Sequence, residues 1–75
     1  MTPTRRVFLR RLALSSRPLT TAEVARGRCQ PLTATRHLKA LRDDGYVVAT
    51  RSDSYGYQYA LTDEGRALID ELDDG

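Results

Sequence analysis

The 75-residue sequence predicts a small α+β domain in which three helices precede a β-hairpin and a fourth helix follows it. Apolar residues recur at helical spacing over most of the chain, whereas residues 46–50 and 57–61 combine β-branched and aromatic side chains. The chain is 40% apolar and 29% charged, with three Pro and five Gly, which is typical of a globular domain. This length leaves room for one domain, residues 1–75.

The first two helices are predicted from apolar spacing and from local end signals. Helix one, at about residues 4–15, has an apolar face formed by Phe8, Leu9 and Leu12, and the run Ser-Ser-Arg-Pro ends it. Thr20 and Glu23 have the spacing of a capping box, in which each side chain accepts a hydrogen bond from the other residue's backbone amide. A short helix is therefore expected at about residues 21–26, with Gly27 at its end.

The third helix has the clearest division between an apolar and a polar side. It begins at Pro31, or later with Thr33 as its cap, and runs to Asp44. Its inner stripe is Ala34, Leu38 and Leu41, and its outer stripe is Leu32, Thr33, Arg36, Lys39 and Ala40. Gly45 is expected to end this helix in the left-handed conformation.

A β-hairpin and a last helix complete the predicted order. Residues 46–50 and 57–61 are the two strands, and residues 52–56 form the turn. Along the second strand, Tyr57, Tyr59 and Leu61 share one face. Thr62 caps the last helix, whose apolar stripe is Leu68, Ile69 and Leu72.

Charge is divided unevenly along the chain. The residues up to Arg42 include ten Lys or Arg and one acid, a net charge of +9, whereas the remainder has two Arg and nine acids, a net charge of −7. A basic half this strong suggests a polyanionic partner, and the acidic remainder suggests a face turned away from that partner. The alternative explanation of this charge pattern is an Arg-rich composition with solvated helix faces, rather than a polyanionic partner.

Several classes are excluded by the same sequence. No apolar stretch approaches the roughly 20 residues of a membrane span, and Arg10 and Arg11 interrupt any amino-terminal signal, so a cytoplasmic protein without membrane contact is expected. One cysteine, Cys29, and one histidine, His37, cannot form a disulfide or a four-ligand zinc site. We expect no metal, no cofactor and no enzymatic activity. His37 is expected to pack or to contact a phosphate, and Cys29 to be passive or, alternatively, a redox switch.

Two helices joined by a short turn and followed by a hairpin form a helix-turn-helix with a wing. Four segments carry a resemblance to the winged helix-turn-helix repressors of the MarR, PadR and ArsR type: Leu19 to Ala25, Thr33 to Leu41, Gly45 to Val47, and Tyr59 to Leu68. The resemblance extends from Phe8 to Leu72, with the helix-turn-helix at about residues 20–44 and a two-stranded wing at about 46–61.

The resemblance implies a sequence-specific transcriptional regulator, a repressor, that binds double-stranded DNA. The helix at about residues 31–44 would lie in the major groove, and the wing would reach the backbone or the minor groove. Carried over residue by residue, the groove-facing positions are Gln30, Leu32, Thr33, Thr35, Arg36 and Lys39. Phosphates would be held by Arg17, Arg26 and Arg28, with Arg51 and Tyr55 in the wing.

Two further expectations concern assembly and regulation. Val7 and Leu14 form a second apolar stripe on helix one, which predicts a homodimer interface together with Ile69 or Leu72, unless these are ordinary exposed apolar residues. The chain lacks the long flanking helices of effector-binding MarR-type proteins, so no small-molecule effector is expected. The alternative function is a winged helix that docks another protein, with its basic face incidental.

Overall fold

The computed structural model describes residues 2–54 and 56–73, and these form four helices and a three-stranded antiparallel sheet. The elements are α1 (Pro3–Leu14), β1 (Leu19–Thr20), α2 (Thr21–Ala25), α3 (Pro31–Asp43), β2 (Val47–Ser52), β3 (Gly56–Leu61) and α4 (Asp63–Asp73). The predicted α+β class and the order of helices and hairpin are confirmed.

The sheet has one strand more than the two-stranded wing predicted from the sequence. Its order is β1-β3-β2, with Leu19 opposite Tyr59 and Thr20 opposite Gln58. A two-residue strand is too short to show a period of its own, and it is recognisable only because β3 lies beside it. The extra strand ties the start of the helix-turn-helix to the wing.

The predicted start of the helix-turn-helix is confirmed in detail. The Glu23 amide donates to Thr20 Oγ1 at 3.2 Å, and the Thr20 amide donates to Glu23 Oε1 at 3.0 Å, which completes the capping box. Gly27 has a φ of +72°, as its place after α2 requires. Of the two predicted starts of α3, the structure selects Pro31, with Gln30 as the N-cap residue.

A Schellman motif ends α3 and directs the chain into β2. The Tyr46 amide donates to the Leu41 carbonyl at 2.9 Å, and the Gly45 amide donates to the Arg42 carbonyl at 2.9 Å. Gly45 has a φ of +85°, which only glycine adopts readily. This turn fixes the position of the wing relative to α3.

The core lies between the helices and one face of the sheet. Its buried apolar members are Phe8, Leu9, Leu12, Val24, Ala25, Ala34, Leu38, Leu41, Val47, Tyr59 and Ile69. The inner stripe predicted for α3 is confirmed. The assignment of Ile69 to a dimer surface is wrong, because this side chain is only 2% exposed. Leu72 is half-buried and packs on the same core.

The start of α4 is held against the turn that follows α3. The Thr62 amide donates to the Tyr46 carbonyl at 3.1 Å, and the Thr62 hydroxyl donates to the Gly45 carbonyl at 2.6 Å. Thr62 Oγ1 also accepts from the Gly65 amide at 3.0 Å, so the predicted cap is confirmed. Gly65 lies so close to Tyr46 that a Cβ would overlap its carbonyl oxygen and come within 2.9 Å of Leu61 Cδ2.

Gly65→Ala is therefore expected to destabilise the protein, although the same change stabilises an ordinary helix by about 1 kcal/mol. The obstacle is backbone, which cannot move without breaking the Thr62 contact, so we expect a loss of at least about 2 kcal/mol in the free energy of unfolding. Urea unfolding measures this loss in the free energy of unfolding. Ala67→Gly on the exposed face of α4 is the control for helix propensity, with a loss of about 1 kcal/mol. An increase in stability for Gly65→Ala would contradict the close approach.

Candidate nucleic-acid interface

The buried stripe of α3 determines which of its side chains face outward. With Ala34, Leu38 and Leu41 in the core, the opposite side of the helix exposes Leu32, Thr33, Arg36 and Lys39. Leu32 is 66% exposed, which is high for a leucine. We call these four residues the outer face of α3. Gln30, just before the helix, is exposed as well.

A groove runs between α3 and strand β3. One part, about 450 Å³, is lined by Thr35, Lys39, Arg42, Tyr57 and Tyr59. The adjoining part, about 440 Å³, shares three of these residues and adds Thr20, Thr21, Ala22 and Pro31. We call the two parts together the wing-side cleft. Thr35 is half-buried in it, and its hydroxyl donates to the Pro31 carbonyl at 2.9 Å, so Thr35 does not share the outer face with Arg36.

The other flank of α3 faces α1. Arg5 Nε donates to His37 Nδ1 at 3.1 Å, and the imidazole ring meets Phe8 edge-on, with 6.0 Å between ring centroids. Of the two roles expected for His37, these contacts support packing. The polar contact also links the first helix directly to α3.

Two further arginines of the basic half contact the protein itself. Arg11 Nη1 donates to the Val24 carbonyl at 2.6 Å and to the Arg26 carbonyl at 2.8 Å, where α2 ends. Carbonyls at a helix end attract a cation, and charge-assisted bonds of this kind contribute about 1.5 to 3 kcal/mol each. Sequence reasoning missed this role, because nothing local pairs Arg11 with residues 13 and 15 positions away. Arg28 Nη2 lies 3.5 Å from Thr4 Oγ1 on α1.

Arg17 is paired with the capping box. Its Nη2 lies 2.6 Å from Glu23 Oε2. The Arg17 hydrogen bond and the Thr20 amide lower the pKa of Glu23 from 4.5 to about 2. The predicted phosphate contact of Arg17 stays a prediction, and making it would require this guanidinium to serve two anions.

The other predicted site residues are spread over the turn, the wing and α1. Arg26 and Arg28 are exposed in the turn between α2 and α3, and Arg51 is exposed on β2. Tyr55 lies outside the described residues. On α1, Leu14 is 83% exposed and Val7 is half-buried.

Within residues 2–54 and 56–73, no three His, Cys, Asp or Glu side chains are grouped so that they could hold a metal ion. In the same residues, no helix is long and apolar enough to cross a membrane.

Solved structures share this arrangement along nearly the whole chain. A MarR-family transcriptional regulator from Rhodococcus sp. RHA1 matches with a TM-score of 0.89 and 23% identity over 99% of this chain. The YusO protein from Bacillus subtilis matches with a TM-score of 0.89 and 24% identity over 96%. The M. tuberculosis transcriptional regulator MosR is 32% identical over 95%, with a TM-score of 0.80.

The chain has a winged helix-turn-helix fold like that of these structures. No protein-family model and no curated protein sequence matches it. This winged-helix chain spans about half the length of the matched structures, covering 54% of the Rhodococcus protein and 52% of each of the other two.

The Glu23 pKa gives this winged helix a pH-dependent contribution to stability. Because the folded-state pKa is lower than the unfolded one, the contribution is fully present above about pH 4.5 and is lost as the pH falls toward 2. Glu23→Gln should therefore be less stable than the original protein at pH 7, and the difference in thermal midpoint should shrink between pH 4.5 and 2. Circular dichroism melts at stepped pH measure it. A constant difference across that window would contradict the ion pair.

Proposed function

We propose that the chain is a transcriptional regulator that binds a specific double-stranded DNA sequence and acts as a repressor. The observation that carries the proposal is the outer face of α3, where Arg36, Lys39 and Thr33 are exposed on a helix held by a helix-turn-helix. The matched structures support it, since the Rhodococcus and M. tuberculosis proteins are both described as transcriptional regulators.

The outer face of α3 has the chemistry that major-groove recognition requires. A guanidinium such as that of Arg36 can bind O6 and N7 of guanine with two hydrogen bonds. Thr33 offers a hydroxyl group and a methyl group, and Leu32 offers an apolar contact for the methyl group of thymine. Phosphates would be bound by Arg26 and Arg28 beside the helix.

The charge distribution supports the same orientation. The basic segment up to Arg42 contains α1, α2 and nearly all of α3, and most acids lie on α4 or at the end of α3. A polyanion is attracted to the first surface and repelled by the second, so the duplex would approach with α3 toward it. The charge distribution affects orientation and encounter rate, whereas specificity comes from the outer face.

Selection of bound sequences from a random duplex pool is the direct test. Recovery of one sequence motif, with an affinity that falls steeply with salt, is the expected result, because neutralised phosphates release counterions. Failure to bind any duplex would remove the proposal and leave the protein-docking alternative.

Arg36→Ala is expected to weaken binding to the selected sequence by about 1 to 3 kcal/mol and to relax the base preference at one position. The fold should be unaffected, because Arg36 is exposed and points away from the core stripe. Fluorescence anisotropy with selected and scrambled duplexes measures the effect. Arg66→Ala, which removes an exposed arginine from α4, is the charge-matched control. Equal losses on both duplexes would remove Arg36 from base recognition.

We also propose a two-fold symmetric homodimer in which α1 supplies the contact. Leu14, at 83% exposure, is the most exposed of the large apolar side chains noted in the structure, and Val7 and Arg10 share the outward side of the helix with it. Copies related by a two-fold axis can therefore bring their exposed Leu14 side chains together. Half-sites would then lie about 10 bp apart.

Leu14→Glu, alone and combined with Val7→Glu, is expected to give a folded monomer with weaker binding to a two-half-site operator. The single change is informative by itself, because Leu14 has little burial to lose within one chain. Sedimentation at tens of micromolar decides the question. Val48→Glu, on an exposed apolar residue of β2, is the control that should stay dimeric. A monomeric original protein, or a Leu14→Glu variant that stays dimeric, would exclude this interface.

A further inference from the structure

Helix α2 is short, and little in its own sequence holds its carboxyl end. Its last turn contains no basic residue, and the chain leaves the helix at Arg26 with a ψ of 123°. In the turn that follows, the Ala25 carbonyl accepts from the amides of Arg28 and Cys29, at 2.9 and 3.2 Å. Among the residues that the structure describes, no backbone amide bonds to the carbonyl on either side of Ala25. These two carbonyls therefore need partners from outside the helix and the turn.

Arg11 on α1 is the partner of both carbonyls. Its Nη1 donates to the Val24 carbonyl at 2.6 Å and to the Arg26 carbonyl at 2.8 Å. Both bonds have a charged donor, which makes them shorter and stronger than bonds between neutral groups. One guanidinium group therefore joins the last turn of α2 to the first residue beyond it and holds the path by which the chain leaves α2.

The first turn of α3 has no such anchor of its own. The helix begins at Pro31, which has no amide hydrogen, and the side chain of Gln30 before it makes no capping hydrogen bond. Only the residues from Gly27 to Cys29 separate Gln30 from the end of α2 bound by Arg11. The direction in which α3 begins therefore depends on how the turn leaves α2.

The part of α3 that this turn places includes candidates for base recognition. Gln30, Leu32 and Thr33 are all exposed, and we call them the leading end of α3. Arg36 and Lys39 lie one to two turns further along, where the buried stripe holds the helix in the core. A hydrogen bond to a base edge is lost when its donor moves by about 1 Å. A change in the turn would therefore affect the leading end before the rest of the outer face.

We propose that Arg11 is a positioning residue that places the leading end of α3 for base recognition without contacting DNA itself. The inference rests on the proposed function and adds to it a residue that determines specificity from outside the contact surface. An arginine in the basic half of the chain could instead be a phosphate ligand. The two roles differ in their effect on salt dependence, because only a phosphate ligand releases counterions when it binds.

The test compares Arg11→Met with the original protein on the selected and the scrambled duplex over a range of salt concentrations. Methionine keeps an unbranched apolar side chain and removes every donor of the guanidinium group. Binding to the selected duplex should weaken by about tenfold, the loss of one base contact. Binding to the scrambled duplex should stay within about twofold, and the slope of log affinity against log salt should be unchanged. Equal losses on both duplexes, with a slope lower by about one, would make Arg11 a phosphate ligand and overturn the proposal.

Arg11→Lys is the conservative variant, and it also covers the case in which Arg11→Met does not fold. An ammonium group keeps a charged donor but lacks the planar fork of a guanidinium. The expected loss on the selected duplex is about threefold, with the scrambled duplex unaffected. Binding is measured below the thermal midpoint of each variant, so that unfolded protein does not contribute. A loss for Arg11→Lys as large as that for Arg11→Met would overturn the role of the donated bonds.

Repeating the selection from a random duplex pool with Arg11→Met locates the effect on α3. Preference should relax at positions beside the one that Arg36→Ala relaxes, and the position that depends on Arg36 should keep its preference. General destabilisation of the fold would lower affinity without changing the selected motif. An unchanged motif, or one relaxed only at the position that depends on Arg36, would therefore overturn the assignment to the leading end.

Arg6→Ala is the matched control, because it removes an exposed arginine from the same helix. It should bind both duplexes within about twofold of the original protein. A loss of selectivity as large as that of Arg11→Met would make the effect one of charge on α1 and overturn the proposal.

The last two outcomes separate this inference from the proposed function. An original protein that binds no duplex overturns both. An Arg11→Met variant that binds and selects like the original protein, beside a loss for Arg36→Ala, overturns the role of Arg11 alone.

Discussion

The structure depends on the burial of one stripe of α3. Ala34, Leu38 and Leu41 are at most 1% exposed, so the helix cannot rotate about its axis without exposing part of the core. The rotational position of α3 about its axis decides the environment of every other residue on the helix. Arg36 points to solvent, Arg42 points to the wing and His37 points to α1. The surroundings of these residues therefore follow from the burial of three apolar side chains.

The arginines divide into those that build the domain and those that are exposed on it. Arg11 bonds to carbonyls at the end of α2, and Arg5 bonds to His37. Arg17 pairs with Glu23 of the capping box. These contacts orient α2 and α3 relative to α1 with groups that a basic composition already provides. Some arginines therefore fix the positions of the helices, whereas others supply positive charge to the surface that a polyanion would meet.

Much of the fold could be predicted because its signals are local. The capping box at Thr20, the glycine at position 45 and the Thr62 cap each involve residues within a few positions of one another, and all are confirmed. Features that depend on distant partners were missed or misplaced. Strand β1 exists through pairing with β3, and the small residue at position 65 is required by a carbonyl 19 positions earlier. Ile69 was assigned to an interface because periodicity gives the apolar side of a helix without saying what covers it.

The same distinction applies to the candidate site. The outer face of α3 follows from a helical wheel, since one helix contains all of it. The wing-side cleft requires the register of β2 and β3 and their approach to α3, and neither is encoded in a single segment. Arg36 and Arg42 point in different directions from the same helix, so the outer face and the cleft can be altered separately. Substitution of Arg36 would therefore change the chemistry of the outer face while leaving the lining of the cleft in place.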